Sequence, residues 1–295
     1  MRISDRLRYE IFKRDLLNMK SELDRYQTMI SSGRALLKPS DNPVDFSICL
    51  RFDSELKKGE QHERNINRLT VLGNYYDSAL NKIHELLTKA KEIAITQASD
   101  TMDSSTRLSS SEEIKGIIEQ LVSIGNTNVS GMYIFSGKTL DTKPFELNDD
   151  YSVTYNGTSD VMKVYVDNDV SEELGLSGSK IFISDTNIFS VLKDLKDALE
   201  ANDVEGIRES LDGLEAALRK TESNLSYVGT YLGKLERVKD LLEIRKTDIQ
   251  TVKSEVQDAD LTKIISDFNA MTLAYQTALY AMAKIQELSI LNYLR

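Results

Sequence analysis

The chain offers few side chains whose types and spacing could bind a metal ion or transfer a proton. His62 and His84 are its two histidines, and neither has a cysteine or a carboxylate at metal-ligand spacing. We expect both to be structural residues, exposed or half-buried on a helix. Cys49 is the single cysteine, which excludes an intrachain disulfide and a cysteine-based metal cluster. We therefore predict no bound metal and no cofactor.

Adjacent carboxylates occur at Glu112-Glu113, Asp149-Asp150 and Glu172-Glu173. Neighbouring residues on a helix point in different directions, so such pairs cannot share a proton. The Ser-Gly loops lack the spacing of a phosphate-binding loop or of a nucleophile elbow. We predict no catalytic residue and no enzymatic activity. A carboxylate-dependent hydrolase would require a deep acidic pocket in the β-rich segment.

Long apolar stripes with helical spacing dominate the sequence instead. From residue 228 onward, a heptad repeat is typical of a coiled coil. One position of the repeat is occupied by Val228, Leu235, Leu242, Ile249 and Val256. The other is occupied by Tyr231, Val238, Arg245, Val252 and Ala259, of which all but Arg245 are apolar or aromatic. Asp258-Ala259-Asp260 interrupts this repeat, and a second stripe follows in a new frame. Because a helix cannot cover its own apolar stripe, each stripe needs a partner helix.

The two ends of the chain carry stripes that we predict to be assembly surfaces. The N-terminal stripe consists of Tyr9, Phe12, Leu16, Met19, Leu23, Tyr26 and Ile30. The C-terminal stripe consists of Phe268, Met271, Tyr275, Ala278, Met282, Ile285 and Leu288. Their three-four spacing suits packing against each other or against neighbouring subunits. Isolated terminal helices are marginal without packing, so we expect fast amide exchange at both ends of the free monomer.

Composition and charge exclude several classes of protein. Of the 295 residues 40% are hydrophobic, which is enough for a core, and only three prolines interrupt long helices. No stretch of about 18 residues is apolar enough to span a membrane. A net charge of −10 argues against nucleic-acid binding. Residues 1–40 nevertheless hold nine basic and five acidic residues, so the acidic charge lies mainly in the middle. This distribution suits a subunit whose ends are buried in an assembly.

Turn-forming residues divide the chain into five predicted segments. These are an N-terminal helix in residues 1–42, the first half of a helical rod in 43–130, a β-rich insert in 131–187, the second half of the rod in 188–260 and a C-terminal helix in 261–295. The predicted fold class is mainly α with a small β domain. It is an elongated rod of long antiparallel coiled-coil helices, with both termini at one end and the insert at the other.

The sequence also predicts two specific turns. Pro39-Ser40-Asp41-Asn42-Pro43 predicts a bend, with Asp41 or Asn42 capping the next helix and Pro43 at its first position. Inside the insert, Asn156-Gly157 predicts a hairpin that joins a strand at 151–155 to a strand at 161–165.

Several motifs, all of them outside residues 146–187, carry a family resemblance. They are Met1-Arg2-Ile3-Ser4, the turn from Ser32 to Pro43, Gly131-Met132-Tyr133-Ile134-Phe135-Ser136-Gly137 with Thr142-Lys143-Pro144-Phe145, Val256-Gln257-Asp258-Ala259-Asp260-Leu261, Ala274-Tyr275-Gln276, and the tail from Lys284 to Leu294. Together they resemble the bacterial flagellar hook-filament junction proteins, the hook-associated protein 3 group of the flagellin family. The proline-bracketed turn and the Tyr-Ile-Phe-Ser-Gly stretch are similar to junction proteins rather than to flagellins.

This resemblance implies a structural adaptor of the bacterial flagellum. Junction proteins are axial subunits whose paired terminal helices lie inside the tube and whose β domain lies at the periphery. The implied partners are the first hook-associated protein, flagellin, a ring of like subunits and a flagellar export chaperone. The implied location is the extracellular hook-filament junction, reached by type III export from the cytoplasm without a cleaved signal peptide. We also expect no such signal from the charged N-terminus.

Two other structural functions stay open. Flagellin, the filament subunit, is the nearer alternative, and self-assembly of the pure protein into long filaments would favour it. A non-flagellar type III tip or translocator protein is the more distant alternative, since such a protein has no reason to carry the flagellin-like tail.

Overall fold

A computed structural model describes residues 2–168, 170–173 and 175–293 of the chain, with side chains for residues 7, 9–168, 170–173 and 175–285. The fold is mainly helical. The helices are α1 Arg2–Ser32, α2 Pro43–Gln97, α3 Ser104–Gly125, α4 Ile188–Glu200, α5 Val204–Gln257 and α6 Leu261–Tyr293, with a π-helical turn at Ser179–Ile183. The strands are β1 Asn128–Val129, β2 Met132–Tyr133, β3 Phe145–Leu147, β4 Val153–Tyr155, β5 Lys163–Tyr165 and β6 Ser171–Glu173.

The chain folds into two compact units. The terminal unit comprises Met1–Lys58 with Ile244–Arg295, and the central unit comprises Gly59–Glu243. Helices α2 and α5, of 55 and 54 residues, each contribute to both units. The β strands all lie in the central unit.

The terminal unit is built on the packing of α1 against α6. Its buried apolar side chains are few among the residues described, and they lie near the turns that follow α1 and precede α6. They are Met29, Leu36, Cys49 and Ile264. Burial raises the pKa of the Cys49 thiol, so this cysteine behaves as a small apolar residue.

The central unit contains the main core. One stripe of apolar side chains on α2, at three-four spacing, belongs to the same buried cluster as side chains of α3, α4 and α5. Fully buried members of this stripe are Leu80, Ile83, Leu87, Ala90 and Ala94. Gly73 lies where α2 approaches α5 closely, since a Cβ there would stand 2.6 Å from Leu232 Cδ2. On α5, the heptad residues Val228, Leu235 and Leu242 are buried.

Four phenylalanines from separate segments form an aromatic cluster in this core. Phe145 lies at its centre, with ring centroids 4.9 Å from Phe182 and 5.4 Å from Phe189. Phe135 packs edge-on against Phe182 at 5.6 Å. These edge-on and tilted contacts fix the loops and the π-helical turn onto the helices.

Each strand pairs antiparallel with its neighbour in sequence, forming three two-stranded sheets: β1 with β2, β3 with β4, and β5 with β6. The hairpin predicted at Asn156-Gly157 is therefore wrong. The Asn156 amide instead donates to the Pro144 carbonyl, which extends the pairing of β4 with β3, and the Tyr155 ring covers Gly157. Glu172-Glu173 likewise lies on a strand rather than a helix, where adjacent side chains also diverge.

A buried arginine joins the turns at one end of the central unit. Arg107 of α3 is 3% exposed. Its guanidinium donates to the Gln97 and Ser99 carbonyls at 3.1 and 2.8 Å, where α2 ends, and to the Asn202 side chain between α4 and α5. Hydrogen bonds to three partners compensate for the lost hydration of this charge.

Candidate assembly surfaces

The structure brings the two predicted terminal stripes together within one chain. Along α1 the side chains from Phe12 to Ile30 of the stripe are half-buried, whereas Tyr9 is exposed. Along α6 those from Phe268 to Met282 are half-buried, whereas Ile285 is exposed. Leu288 lies in α6, and its side chain is outside the described residues. Since α1 packs against α6, these half-buried stripes follow the contact between the two helices.

This pairing covers the stripes only in part, and their function in assembly stays a prediction. Among the described side chains, Met29 is the buried residue of α1 and Ile264 that of α6. A two-helix pair with so few buried groups opens at a low free energy. We expect amides along α1 and α6 of the monomer to exchange faster than those of α3 and α4, as hydrogen exchange followed by mass spectrometry would show. Equal protection of both helix pairs would contradict this expectation.

Helix α6 carries a second apolar stripe that the heptad pattern does not indicate. The side chains of this second stripe are exposed on the single chain and are Leu261, Ile265, Leu273, Leu279 and Tyr280. Tyr280 is 82% exposed. At about 100° per residue, Leu273 and Tyr280 lie more than a quarter-turn around the helix from the members of the predicted C-terminal stripe that neighbour them in sequence. Leu261 and Leu279 lie beside the edge of that stripe that Phe268 forms. The only sequence signal for the second stripe is the high apolar content of α6.

In the proline-bracketed turn, the carboxylate of Asp41 and the amide of Asn42 have different roles. Asn42 caps α2, because its Oδ1 accepts from the Val44 and Asp45 amides at 3.1 and 3.3 Å and Pro43 takes the first helical position. Asp41 closes the loop before it, since its Oδ2 accepts from the Leu37 and Lys38 amides at 3.0 and 2.9 Å.

The turn after α1 is joined to the turn before α6 by backbone hydrogen bonds. Gly33 ends α1 with φ +70°, a conformation that suits glycine. Its carbonyl accepts from the Ala259 amide at 2.9 Å, and the Ala35 amide donates to the Gln257 carbonyl at 2.9 Å. Asp260 then caps α6 by accepting from the Lys263 amide at 3.1 Å. The break in the heptad pattern at 258–260 thus marks a joint that fixes where the α1–α6 pair begins.

Side-chain ion pairs support the same joint. Arg25 of α1 lies 3.4 Å from the Asp41 carboxylate, and Lys253 of α5 pairs with Asp53 of α2. The amide hydrogen bond from Lys38, with help from that of Leu37 and the Arg25 charge, outweighs burial and holds the pKa of Asp41 below its usual 3.8.

The lowered pKa of Asp41 predicts a pH dependence of stability. Its contribution is complete above the unfolded pKa near 3.8 and is lost as the pH falls through the folded value. We expect Asp41→Asn to reduce the loss of unfolding free energy on acidification, measured by urea titrations from neutral pH to about pH 3. Asp240→Asn removes the same charge from an exposed position of α5 and is the control. An identical acid response of the Asp41→Asn and Asp240→Asn variants would contradict the assignment.

The histidines lie where the sequence predicts, half-buried on α2. His62 Nδ1 lies 3.3 Å from the Tyr165 carbonyl, and His84 Nε2 lies 3.4 Å from the Glu222 carboxylate. Within the described part of the chain, no group of three His, Cys, Asp or Glu residues is arranged to hold a metal ion. The same part contains no helix that is both long and apolar enough to cross a bilayer.

Comparison with known proteins places these helices in a family. Residues 3–139 match the bacterial flagellin N-terminal helical region and residues 211–294 match the bacterial flagellin C-terminal helical region, which together cover most of the chain. The chain is 26% identical to flagellar hook-associated protein 3 of Escherichia coli strain K12, over 98% of each protein. It is 21% identical to flagellin of Halalkalibacterium halodurans, over 90% of this chain and 89% of that protein.

A solved structure shows the same fold. The crystal structure of flagellar hook-associated protein 3 from Legionella pneumophila superposes with a TM-score of 0.64 at 14% identity, over 70% of this chain and 98% of that one. The matched helical regions lie at the two ends of the chain, where α1 and α6 pair. The chain belongs to the flagellin family.

Proposed function

We propose that this chain is a structural subunit, without enzymatic activity, that joins the flagellar hook to the flagellin filament. The observation that carries the proposal is the alignment with hook-associated protein 3, which runs over 98% of both proteins. The alignments with flagellins cover somewhat less of the chain at lower identity, which favours the junction function over that of a filament subunit.

The partners follow from this proposal. The first hook-associated protein lies on the hook side and flagellin on the filament side, with like subunits completing a ring and an export chaperone binding before secretion. The paired helices α1 and α6 are the assembly element, since their predicted stripes are only half covered and the second stripe of α6 is exposed. The chain works outside the cell, after export without a cleaved signal peptide.

Deletion of the gene in its own motile bacterium tests the proposal. We expect hooks that carry no filament, with intact flagellin released into the medium, and restoration of filaments by the full chain. Attached filaments in the deletion strain would contradict the adaptor function. Loss of flagellin itself from both cells and medium would instead identify the chain as the filament subunit.

A further inference from the structure

The central unit has an apolar groove that the proposed function leaves unused. It lies between α2 and the β1–β2 hairpin and has a volume of about 400 Å³. Val71 and Tyr75 of α2 form one wall, and Met132 and Leu140 belong to the opposite side. Val71 is 54% exposed, so the groove is open to a macromolecule. An exposed apolar concavity on a folded unit is typical of an interaction site.

The groove is basic at its edge. Arg68 lies beside Val71 in the lining, and its Nη2 is 3.7 Å from the Met132 sulfur. Of the described residues that line the groove, Arg68 is the only charged one. A partner would therefore have to supply an apolar side chain together with negative charge.

The central unit also presents an acidic hairpin with exposed apolar side chains. The β5–β6 hairpin exposes Tyr165, at 62%, together with Met162 and Val170. Residues 159–173, which include this hairpin, hold five acidic residues and one lysine. An aromatic side chain on an acidic hairpin is the chemistry that the basic apolar groove requires.

The hairpin is held rigidly, so it can act as a preformed projection. The Asn65 side chain donates to the Tyr165 carbonyl at 2.7 Å, and Val166 is fully buried against Ile66 and Leu69. Tyr231 of α5 donates to the Glu173 carbonyl at 3.0 Å. These contacts use one face of α2, whereas Arg68, Val71 and Tyr75 line the groove on another. A hairpin fixed in this way cannot fold back into the groove of its own chain.

The geometry points to a contact between copies of this chain, in which the β5–β6 hairpin of one copy inserts Tyr165 into the groove of the next. Two unlike surfaces on one subunit make a head-to-tail contact, and such contacts close into rings when the rotation allows. The inference rests on the proposed function only in assuming a ring of like subunits. It adds which two surfaces join neighbouring subunits of that ring. Preformed surfaces lose little conformational freedom on binding, which favours the contact.

Site-directed cross-linking of the full chain tests the contact. Two purified single-cysteine variants, Asn67→Cys and Ser171→Cys, are made in a Cys49→Ala background, mixed and treated with a short bis-maleimide. Asn67 is an exposed residue of the groove lining and Ser171 is exposed opposite Tyr165 on the hairpin, so the contact itself stays intact. We expect several-fold more mixed dimer than either homodimer, and a series of larger oligomers from the Asn67→Cys/Ser171→Cys double variant. Preferred homodimers would overturn the head-to-tail contact.

Leu108→Cys, mixed with Ser171→Cys, is the matched control, since Leu108 is 53% exposed in the same unit. A mixed-dimer yield no higher than that of this control would also overturn the inference. The same low yield is expected if the groove binds a different molecule instead of a second copy of this chain. Arg68→Glu should lower the Asn67–Ser171 cross-linking yield several-fold, whereas Lys82→Glu, elsewhere on α2, should not. Because this experiment uses pure protein, it can fail while the gene deletion still shows the adaptor function. Conversely, the cross-link can form even if the gene deletion contradicts the adaptor function.

Discussion

Tyr275→Asp should abolish assembly of the chain into flagella while leaving the central unit folded. Tyr275 is half-buried on α6 along its contact with α1. A carboxylate there would lose hydration without gaining a partner when the helices pack into an assembly. Met282→Asp should have the same effect one heptad later. Filament attachment is scored by electron microscopy of a deletion strain that expresses each variant.

Gln276→Asp is the control, because it introduces the same charge at the next residue, which is exposed. Immunoblots of cells and medium separate failed assembly from failed export. Circular dichroism of the purified variants shows whether the helices of the central unit persist. Normal filaments on cells that express Tyr275→Asp or Met282→Asp would show that the C-terminal stripe is not an assembly surface.

Phe145→Ala should cause the largest loss of stability in the central unit. Phe145 is fully buried, and its ring lies 5.0 Å from Tyr155 as well as near Phe182 and Phe189. The backbones of Gly125 and Gly178 already contact the Phe145 ring. After the ring is deleted, these segments can therefore move little closer to fill the cavity. We expect a loss of about 3–5 kcal/mol in the free energy of unfolding, the cost of deleting a buried aromatic ring and leaving a cavity.

Urea unfolding followed by circular dichroism measures this loss. Tyr165→Ala removes a ring of similar size that is exposed, and it should change the unfolding free energy by less than about 0.5 kcal/mol. Equal effects of the two substitutions would show that the aromatic cluster does not hold the loops to the helices.

The helices and their caps follow from local sequence signals. The three-four spacing identifies the buried stripe of α2, and the Asn42-Pro43 pair marks where that helix begins. These signals suffice because the backbone hydrogen bonds of a helix join residues only four positions apart. The buried heptad residues Val228, Leu235 and Leu242 show the same for α5.

The strand pairings and the joint between the two turns could not be predicted in the same way. Asn156-Gly157 has the composition of a hairpin turn, but β4 pairs with β3, the strand that precedes it. The hydrogen bond from the Tyr155 hydroxyl to the Phe135 carbonyl helps to decide the local conformation. The hydrogen bonds that join Gly33 and Ala35 to residues 257–259 connect positions far apart in sequence. Backbone groups carry no side-chain signature, so neither partner indicates the other.

The candidate assembly site was predictable only in outline. The periodic stripes identify α1 and α6 as helices in need of partners, and the structure pairs them with each other. The exposed second stripe with Leu273 and Tyr280 lies outside the heptad frame, so periodicity alone does not distinguish it from ordinary surface variation.

Gold-label electron microscopy with an antibody against this chain tests the central claim most directly. Flagella from the native bacterium are labelled, and the deletion strain serves as the control for antibody specificity. The adaptor function predicts a narrow band of gold where the hook meets the filament. Label along the whole filament would contradict it and indicate a flagellin, and flagella without label would contradict a flagellar function altogether.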